Sequence, residues 1–254
     1  PVQIQGPLSE DLMAKLAGEE LREIPYYGLM ETKIGGADCV ISQTGFTGEK
    51  GYEIYVRDAH ENAEKMWNAV LEAGEEFGLM VIAPAHHRRI AAGILSWGQD
   101  LDHETSPFQV NLSYQVPRNK EADYIGKEAL EKQRAIIDEG NAPFKMKMVG
   151  LIFGGKEITD YAPDFWLIND TDGNEMGFIS SPWWSPELGT NIALGWVPWE
   201  SSAIGTKLQV MLPDEYADSS GAPVDGEIVD IPFRESVNPN KREVQKAKGL
   251  DFAD

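Results

Sequence analysis

The stretch "TGFTGEKGYEIYV", residues 44–56, sets the fold of the N-terminal part of the chain. Apolar side chains alternate along its second half, at Tyr52, Ile54 and Val56, and this period predicts a half-buried β-strand. The glycines at 45, 48 and 51 do not have the spacing of a nucleotide-binding phosphate loop, so they predict a tight turn before the strand. Glu53 then lies on the strand face opposite to the apolar residues.

The segments around this stretch alternate between strand and helix patterns. Further strands are predicted at about 28–35 and 38–43, with the central one at 51–57. Helical spacing is found at 7–21, at 59–78, from Pro84 onward, and at 125–140. This part of the chain is therefore predicted to be an α+β unit.

From about residue 142 the pattern changes to short strands separated by Gly, Pro and "TDGN", which is typical of a small barrel or sandwich. The boundary is placed near "NAPFK", residues 141–145. We predict an α+β domain at 1–141, a β domain at 142–235 and a polar tail at 236–254.

Composition excludes several classes of partner. The net charge of the 254 residues is -20, so the backbone of a nucleic acid and an anionic membrane surface are both repelled. The sequence contains no run of about 18 apolar residues, which excludes a membrane span of ordinary length. The single cysteine, Cys39, lies in the apolar run "DCVIS", which predicts a core thiol, a reducing compartment and a cytoplasmic protein.

Most other candidate sites have a structural alternative. The run His86-His87-Arg88-Arg89 is not a metal site by its spacing, because neighbouring residues on a helix point about 100° apart. Trp97 and Trp183 would suit a flat ligand or ordinary packing, and the sequence leaves this open. No Gly-x-Ser-x-Gly nucleophile motif is present.

Glu53 also has two interpretations. On a half-buried strand the polar face is usually solvated. A carboxylate beside a tight glycine turn, however, with Tyr55 on the same face and Phe46 nearby, is equipped to pair with the planar donor edge of an amino-pyrimidine while an aromatic ring covers it. In chemical terms such a ligand resembles a pterin.

The same residues resemble a known family. Residues 44–53 resemble the Thr-Gly-Tyr-Thr-Gly-Glu-x-Gly-Phe-Glu signature of the glycine cleavage T-protein (aminomethyltransferase) family. Further segments match the family in the same order: "VQIQGP" (2–7), "GILSWGQDLDHETSP" (93–107), "DYIGKEAL" (123–130) and "SPWWSPELGTNIALGWV" (181–197). The resemblance implies an aminomethyltransferase-like α/β folate-binding domain followed by a small C-terminal β-barrel. It also implies a tetrahydrofolate-dependent transferase that moves a methyl or aminomethyl group.

The resemblance also implies roles for particular residues. It places the pterin-binding glutamate at Glu53 and the signature aromatic at Phe46, where the family's hydroxyl is missing. Arg89 matches the second arginine of a family helix, whereas the first falls near Ala85 and the following acid becomes Ala91. We expect Arg89 to meet the carboxylate tail of folate or an acidic substrate, or to pair with an acid of this chain. The rings expected to pack against the pterin are Phe46, Tyr55, Trp97 and Trp183.

The family's acid that faces the reacting folate nitrogen belongs to an N-terminal lobe, which would precede Pro1. We therefore expect the catalytic residue upstream of Pro1. The one-carbon donor is expected to be a small molecule, as in the demethylase-like branch that acts on compounds such as dimethylsulfoniopropionate, or a group on a lipoyl carrier protein. The alternative is a folate-binding regulatory or assembly protein of the same fold.

Overall fold

A computed structural model describes residues 1–83, 86–118 and 120–233. The chain groups into two compact units, the first of which ends before His86, where the second begins. Pro84, where a helix was predicted to begin, lies outside the described residues, as do Ala85 and the predicted tail at 236–254.

The first unit contains a four-stranded antiparallel sheet and two helices. The strands are β1 (Val2–Gln5), β2 (Leu29–Ile34), β3 (Ala37–Ser42) and β4 (Gly51–Val56), in the order β1-β4-β3-β2. The helices are α1 (Ser9–Ala17) and α2 (Ala59–Gly74). The predicted strands and helices of this unit are therefore confirmed. The predicted helix at 7–21 ends early, because Gly18 has a φ of +104° and a separate 3-10 turn follows.

The two faces of this sheet differ. One face packs against both helices and forms the core, in which Ile41, Tyr52 and Ile54 are fully buried against Met13 and Val70. The other face carries polar side chains and is partly exposed. The alternation read from residues 44–56 therefore sorts the side chains correctly between the faces.

The second unit contains a closed antiparallel barrel and two helices. The helices are α3 (His86–Ala91) and α4 (Lys127–Asp138). The strands are β5 (Met146–Phe153), β6 (Trp166–Asn169), β7 (Glu175–Ser185), β8 (Thr190–Pro198), β9 (Lys207–Val210) and β10 (Val224–Val229), in the order β10-β5-β8-β7-β6-β9. The sequence left barrel and sandwich open, and the structure shows the barrel. An α+β chain that ends in a small barrel is thus confirmed.

Helix α3 packs against the outside of the barrel. Its Ile90 and Ala91 share a buried cluster with Met148, Leu194 and Trp196 of strands β5 and β8. Residues 86–141 consequently group with the barrel by packing. The domain boundary near residue 142 stays a prediction, because a family domain and a packing unit need not end at the same residue.

Candidate functional site

Glu53 lies in the middle of β4, on the partly exposed face of the sheet. Its strand neighbours in register are Gln3 of β1 and Ser42 of β3, and Ser42 in turn pairs with Leu29 of β2. Side chains at paired positions project from the same face of a sheet, so these residues form one row across it. Tyr55, two residues further along β4, lies on the same face and is 43% exposed.

Hydrogen bonds from three side chains hold the Glu53 carboxylate. Gln3 Nε2 donates to Oε1 over 2.7 Å, whereas Thr44 Oγ1 and the Tyr55 hydroxyl both donate to Oε2, the latter over 3.2 Å. Burial raises the pKa of Glu53, but the hydrogen bonds from Thr44, Gln3 and Tyr55 outweigh it and lower the pKa below its ordinary value. The carboxylate is therefore ionised at neutral pH. The stability that these bonds provide is present above the unfolded-state pKa and is lost as the pH falls through the folded-state pKa.

The turn before β4 is shaped around the side chain of Gln5. A Cβ atom on Gly45 would lie 2.4 Å from Gln5 Oε1, and one on Gly51 would lie 2.2 Å from Gln5 Nε2. Thr47 Oγ1 donates to Gln5 Oε1 over 2.8 Å, and Gln5 Nε2 donates to the Thr44 carbonyl over 3.3 Å. These glycines thus leave room for an amide that ties the turn to β1. Phe46 lies in this turn and is half-buried.

Arg89 lies in the second unit and is buried, with 4% of its surface exposed. Nε donates to His86 Nδ1, and the two terminal nitrogens donate to Ile94 O, Asp100 Oδ2, Gln99 Oε1 and Ser181 Oγ. A guanidinium has five N–H groups, and each has an acceptor here. The structure therefore shows the pairing with an acid that the sequence left open. A role of Arg89 toward the tail of folate stays a prediction, and it would require one of these bonds to break.

Asp100 is the acceptor at the centre of this buried network. Its Oδ1 accepts from Ser180 Oγ at 2.7 Å and from Ser181 Oγ at 2.5 Å, and its Oδ2 accepts from the Ser96 backbone N–H and Arg89, both at 2.8 Å. The network joins the segment after α3 to strand β7. Sequence reasoning missed Asp100 and both serines as partners, although the "GQD" segment contains the aspartate.

Trp183 belongs to an aromatic cluster beside Arg89. Its ring stacks on His86 with centroids 5.4 Å apart, and Tyr161 meets both rings edge-on. Burial and the nearby Arg89 lower the pKa of His86, which favours the neutral imidazole that accepts from Arg89. Trp97, by contrast, is 61% exposed and meets the ring of His103 edge-on at 4.8 Å.

The six predicted ligand residues thus fall into two groups. Glu53, Tyr55 and Phe46 belong to the sheet and turn of the first unit, whereas Arg89, Trp97 and Trp183 belong to the second. Within the first group the structure brings Glu53 and Tyr55 into direct contact. Within the second, His86 links Arg89 to Trp183.

Cys39 is buried in β3 and its thiol points to the Ala37 carbonyl at 3.4 Å. Burial raises the pKa of this thiol, so the reactive thiolate is suppressed.

We expect the folded chain to react with a maleimide at Cys39 at least about tenfold more slowly than the chain in denaturant. Mass spectrometry of the labelled cysteine checks this, and equal rates in both conditions would contradict a core thiol.

The described part of the chain contains neither a metal-binding cluster nor a membrane-spanning helix. Across residues 1–83, 86–118 and 120–233, no group of three or more His, Cys, Asp or Glu side chains is arranged to hold a metal ion. In the same ranges, no helix combines the length and the apolar character needed to cross a bilayer.

Comparison with known proteins places this arrangement in a family. Residues 1–120 match the GCVT N-terminal domain, and residues 145–233 match the glycine cleavage T-protein C-terminal barrel domain. The chain belongs to the glycine cleavage T-protein family. The family resemblance drawn from the sequence motifs is confirmed.

Curated relatives in the family carry two kinds of name. A dimethylsulfoniopropionate demethylase of Ruegeria pomeroyi is 34% identical over 214 residues, which are 84% of this chain and 56% of that protein. An aminomethyltransferase of a Geobacillus species is 33% identical over 210 residues, which are 82% of this chain and 54% of that protein. The chain therefore spans about half the length of the T-protein relatives it matches.

A solved structure agrees on the fold. The glycine cleavage system aminomethyltransferase T of Bartonella henselae aligns with a TM-score of 0.67 at 24% identity. The alignment covers 92% of this chain and 59% of that one. At this identity the match supports the T-protein fold alone.

Proposed function

We propose that this chain binds tetrahydrofolate through Glu53 and takes part in the transfer of a methyl or aminomethyl group from a small donor to it. The observation that carries the proposal is an ionised carboxylate held at a defined position on a partly exposed sheet face, with the ring of Tyr55 beside it. A merely solvated strand residue has no need of three donors that fix its orientation.

The residues present fit the pterin part of this ligand. A carboxylate that is acceptor-only and ionised pairs with neighbouring N–H groups on the edge of an amino-pyrimidine. The ring of Tyr55 provides apolar surface beside the carboxylate, and Phe46 in the preceding turn is a second candidate to cover the pterin. That Trp97 and Trp183 pack against the pterin ring stays a prediction from the sequence.

Bound tetrahydrofolate supplies the nitrogen that accepts the one-carbon group. The described residues orient it: Gln3 and Thr44 fix the Glu53 carboxylate, and the Gln5 amide fixes the turn that carries Thr44 and Phe46. Correct placement of two reactants supplies a large part of the rate in such transfers. Arg89 stabilises the second unit through its bonds to Asp100 and Ser181, and its contact with the folate tail stays a prediction.

The experiment is a calorimetric titration of the chain with tetrahydrofolate. We expect Glu53→Gln to weaken binding roughly 10- to 100-fold, because a hydrogen bond to a charged group contributes about 1.5–3 kcal/mol. Glu31→Gln is the matched control, because Glu31 is an exposed acid of the same sheet that pairs with Arg57. Equal affinities for wild type and Glu53→Gln would refute the role of Glu53.

The identity of the donor is a further proposal. The names of the relatives support either a small sulfonium compound as methyl donor or an aminomethyl donor. The family resemblance suggests that a lipoyl protein carries the second of these. A cytoplasmic location suits the free, buried Cys39. A second candidate is folate binding without transfer, which Ala91 favours because it stands where the family resemblance places an acid. Turnover on any of these donors would exclude this second function.

A further inference from the structure

The hydrogen bonds at Glu53 leave little room for a ligand. A carboxylate oxygen accepts about two hydrogen bonds through its lone pairs. Oε2 already accepts from Thr44 and Tyr55, whereas Oε1 accepts from Gln3 and keeps one position open. A ligand that pairs with both oxygens must therefore displace one of the donors now on Oε2.

The two donors on Oε2 are held differently. Thr44 belongs to a relay: its single hydroxyl proton goes to Glu53, so Ser42 Oγ must be the donor in the 2.6 Å contact with Thr44 Oγ1. The turn that carries Thr44 is also held by Gln5. Tyr55, in contrast, has an exposed ring, and its hydroxyl contacts Oε2 at the longer distance of 3.2 Å. Displacing the Tyr55 hydroxyl from Oε2 therefore costs less free energy than displacing Thr44.

Two further acceptors lie in the same row. Gln3 donates its Nε2 to the ionised carboxylate, which assigns the other end of the amide as the acceptor Oε1. Ser42 donates to Thr44 and keeps its lone pairs. Because Gln3, Glu53 and Ser42 are paired across adjacent strands about 4.8 Å apart, acceptors recur along the row.

We propose that Tyr55 is a displaceable cap on Glu53, and that Gln3 and Thr44 are positioning residues which keep the carboxylate in place when the cap leaves. The ligand is then a planar edge with at least two neighbouring N–H donors, one of which replaces the Tyr55 hydroxyl on Oε2. This inference rests on the proposed function. It predicts that loss of the Tyr55 hydroxyl strengthens ligand binding, whereas loss of the Gln3 or Thr44 hydrogen bond weakens it.

The test is a titration of the 254-residue chain and its variants with tetrahydrofolate, and with p-aminobenzoylglutamate as a probe that lacks the pterin edge. Tyr55→Phe keeps the ring and removes the competing hydroxyl, so we expect tetrahydrofolate to bind roughly two- to fivefold more tightly. Gln3→Leu and Thr44→Val are expected to weaken binding about tenfold, and Thr44→Ser to restore it. Affinity for p-aminobenzoylglutamate should not change in any of these variants.

The pH dependence separates positioning from general loss of structure. Hydrogen bonds from Gln3 and Thr44 lower the pKa of Glu53, so their removal should move the acidic limb of binding to higher pH. Tyr55→Phe should move it in the same direction while it increases the affinity at neutral pH.

The outcomes are distinct. Wild-type affinity or weaker binding in Tyr55→Phe, together with a loss in Glu53→Gln, would overturn the cap and leave the proposed function standing. Equal affinities for wild type and Glu53→Gln, or no binding by the wild type, would overturn both. Thermal unfolding of each variant, compared with that of the wild type, shows that the variants are folded.

Discussion

Replacing Asp100 by alanine is expected to destabilise the second unit by about 3–5 kcal/mol, because it leaves the buried Arg89 guanidinium without its counter-charge. The same change removes the acceptor of Ser181 and of the Ser96 backbone N–H, whereas Ser180 Oγ keeps the Leu194 carbonyl as an acceptor. Several buried donors are then left unsatisfied at once, and each adds to the cost.

Urea unfolding followed by tryptophan fluorescence measures this effect, since Trp196 Nε1 donates to the backbone carbonyl of Asp100. Asp225→Ala is the matched control, because Asp225 is an exposed aspartate on a barrel strand, and we expect it to change stability by less than about 0.5 kcal/mol. A loss below about 1 kcal/mol in Asp100→Ala would show that water enters and replaces the carboxylate.

Gly51→Ala is expected to cost about 1–3 kcal/mol, because the new Cβ would lie 2.2 Å from Gln5 Nε2 and must push the amide out of the turn. It should also weaken tetrahydrofolate binding, since Thr44 donates to Glu53 from the same turn. Urea unfolding of the variant measures the loss of stability, and calorimetric titration measures the loss of affinity for tetrahydrofolate.

Gly154→Ala is the control for the substitution itself, because the nearest atom to its Cβ would be 3.8 Å away. A double-mutant cycle sharpens the test. Gln5→Ala removes the amide with which the new Cβ clashes. Gly51→Ala should therefore cost much less stability in a Gln5→Ala background than in the wild type. If the costs simply add, the amide is not what requires glycine at this position.

The features that the sequence predicts correctly are those that depend on residues close together in the chain. The period of two at Tyr52, Ile54 and Val56 assigns both the strand and the face of Glu53, because side-chain direction alternates along any strand. The short strands alone are compatible with a barrel or a sandwich. The order of the motifs identifies the family, and the family resemblance predicts the barrel.

The partners of these residues could not be predicted, because they are brought together by the fold. Asp100 and Ser181 lie 81 positions apart, and Gln3 and Glu53 lie 50 apart. No local pattern records such pairings. The sequence predicts a turn at the glycines at 45 and 51, and the structure shows that they also make room for Gln5, a side chain some 40 residues earlier in the chain.

The closed barrel also affects how copies of this chain can aggregate through their strands. In the described second unit every barrel strand has a neighbour on both sides, so none of these strands is an edge strand. Within the described residues, the sheet of the first unit ends at β1 and β2, and these outer strands are its edges for intermolecular strand addition. Glu31 and Lys33 on β2 place opposite charges at one of them, a common safeguard against aggregation.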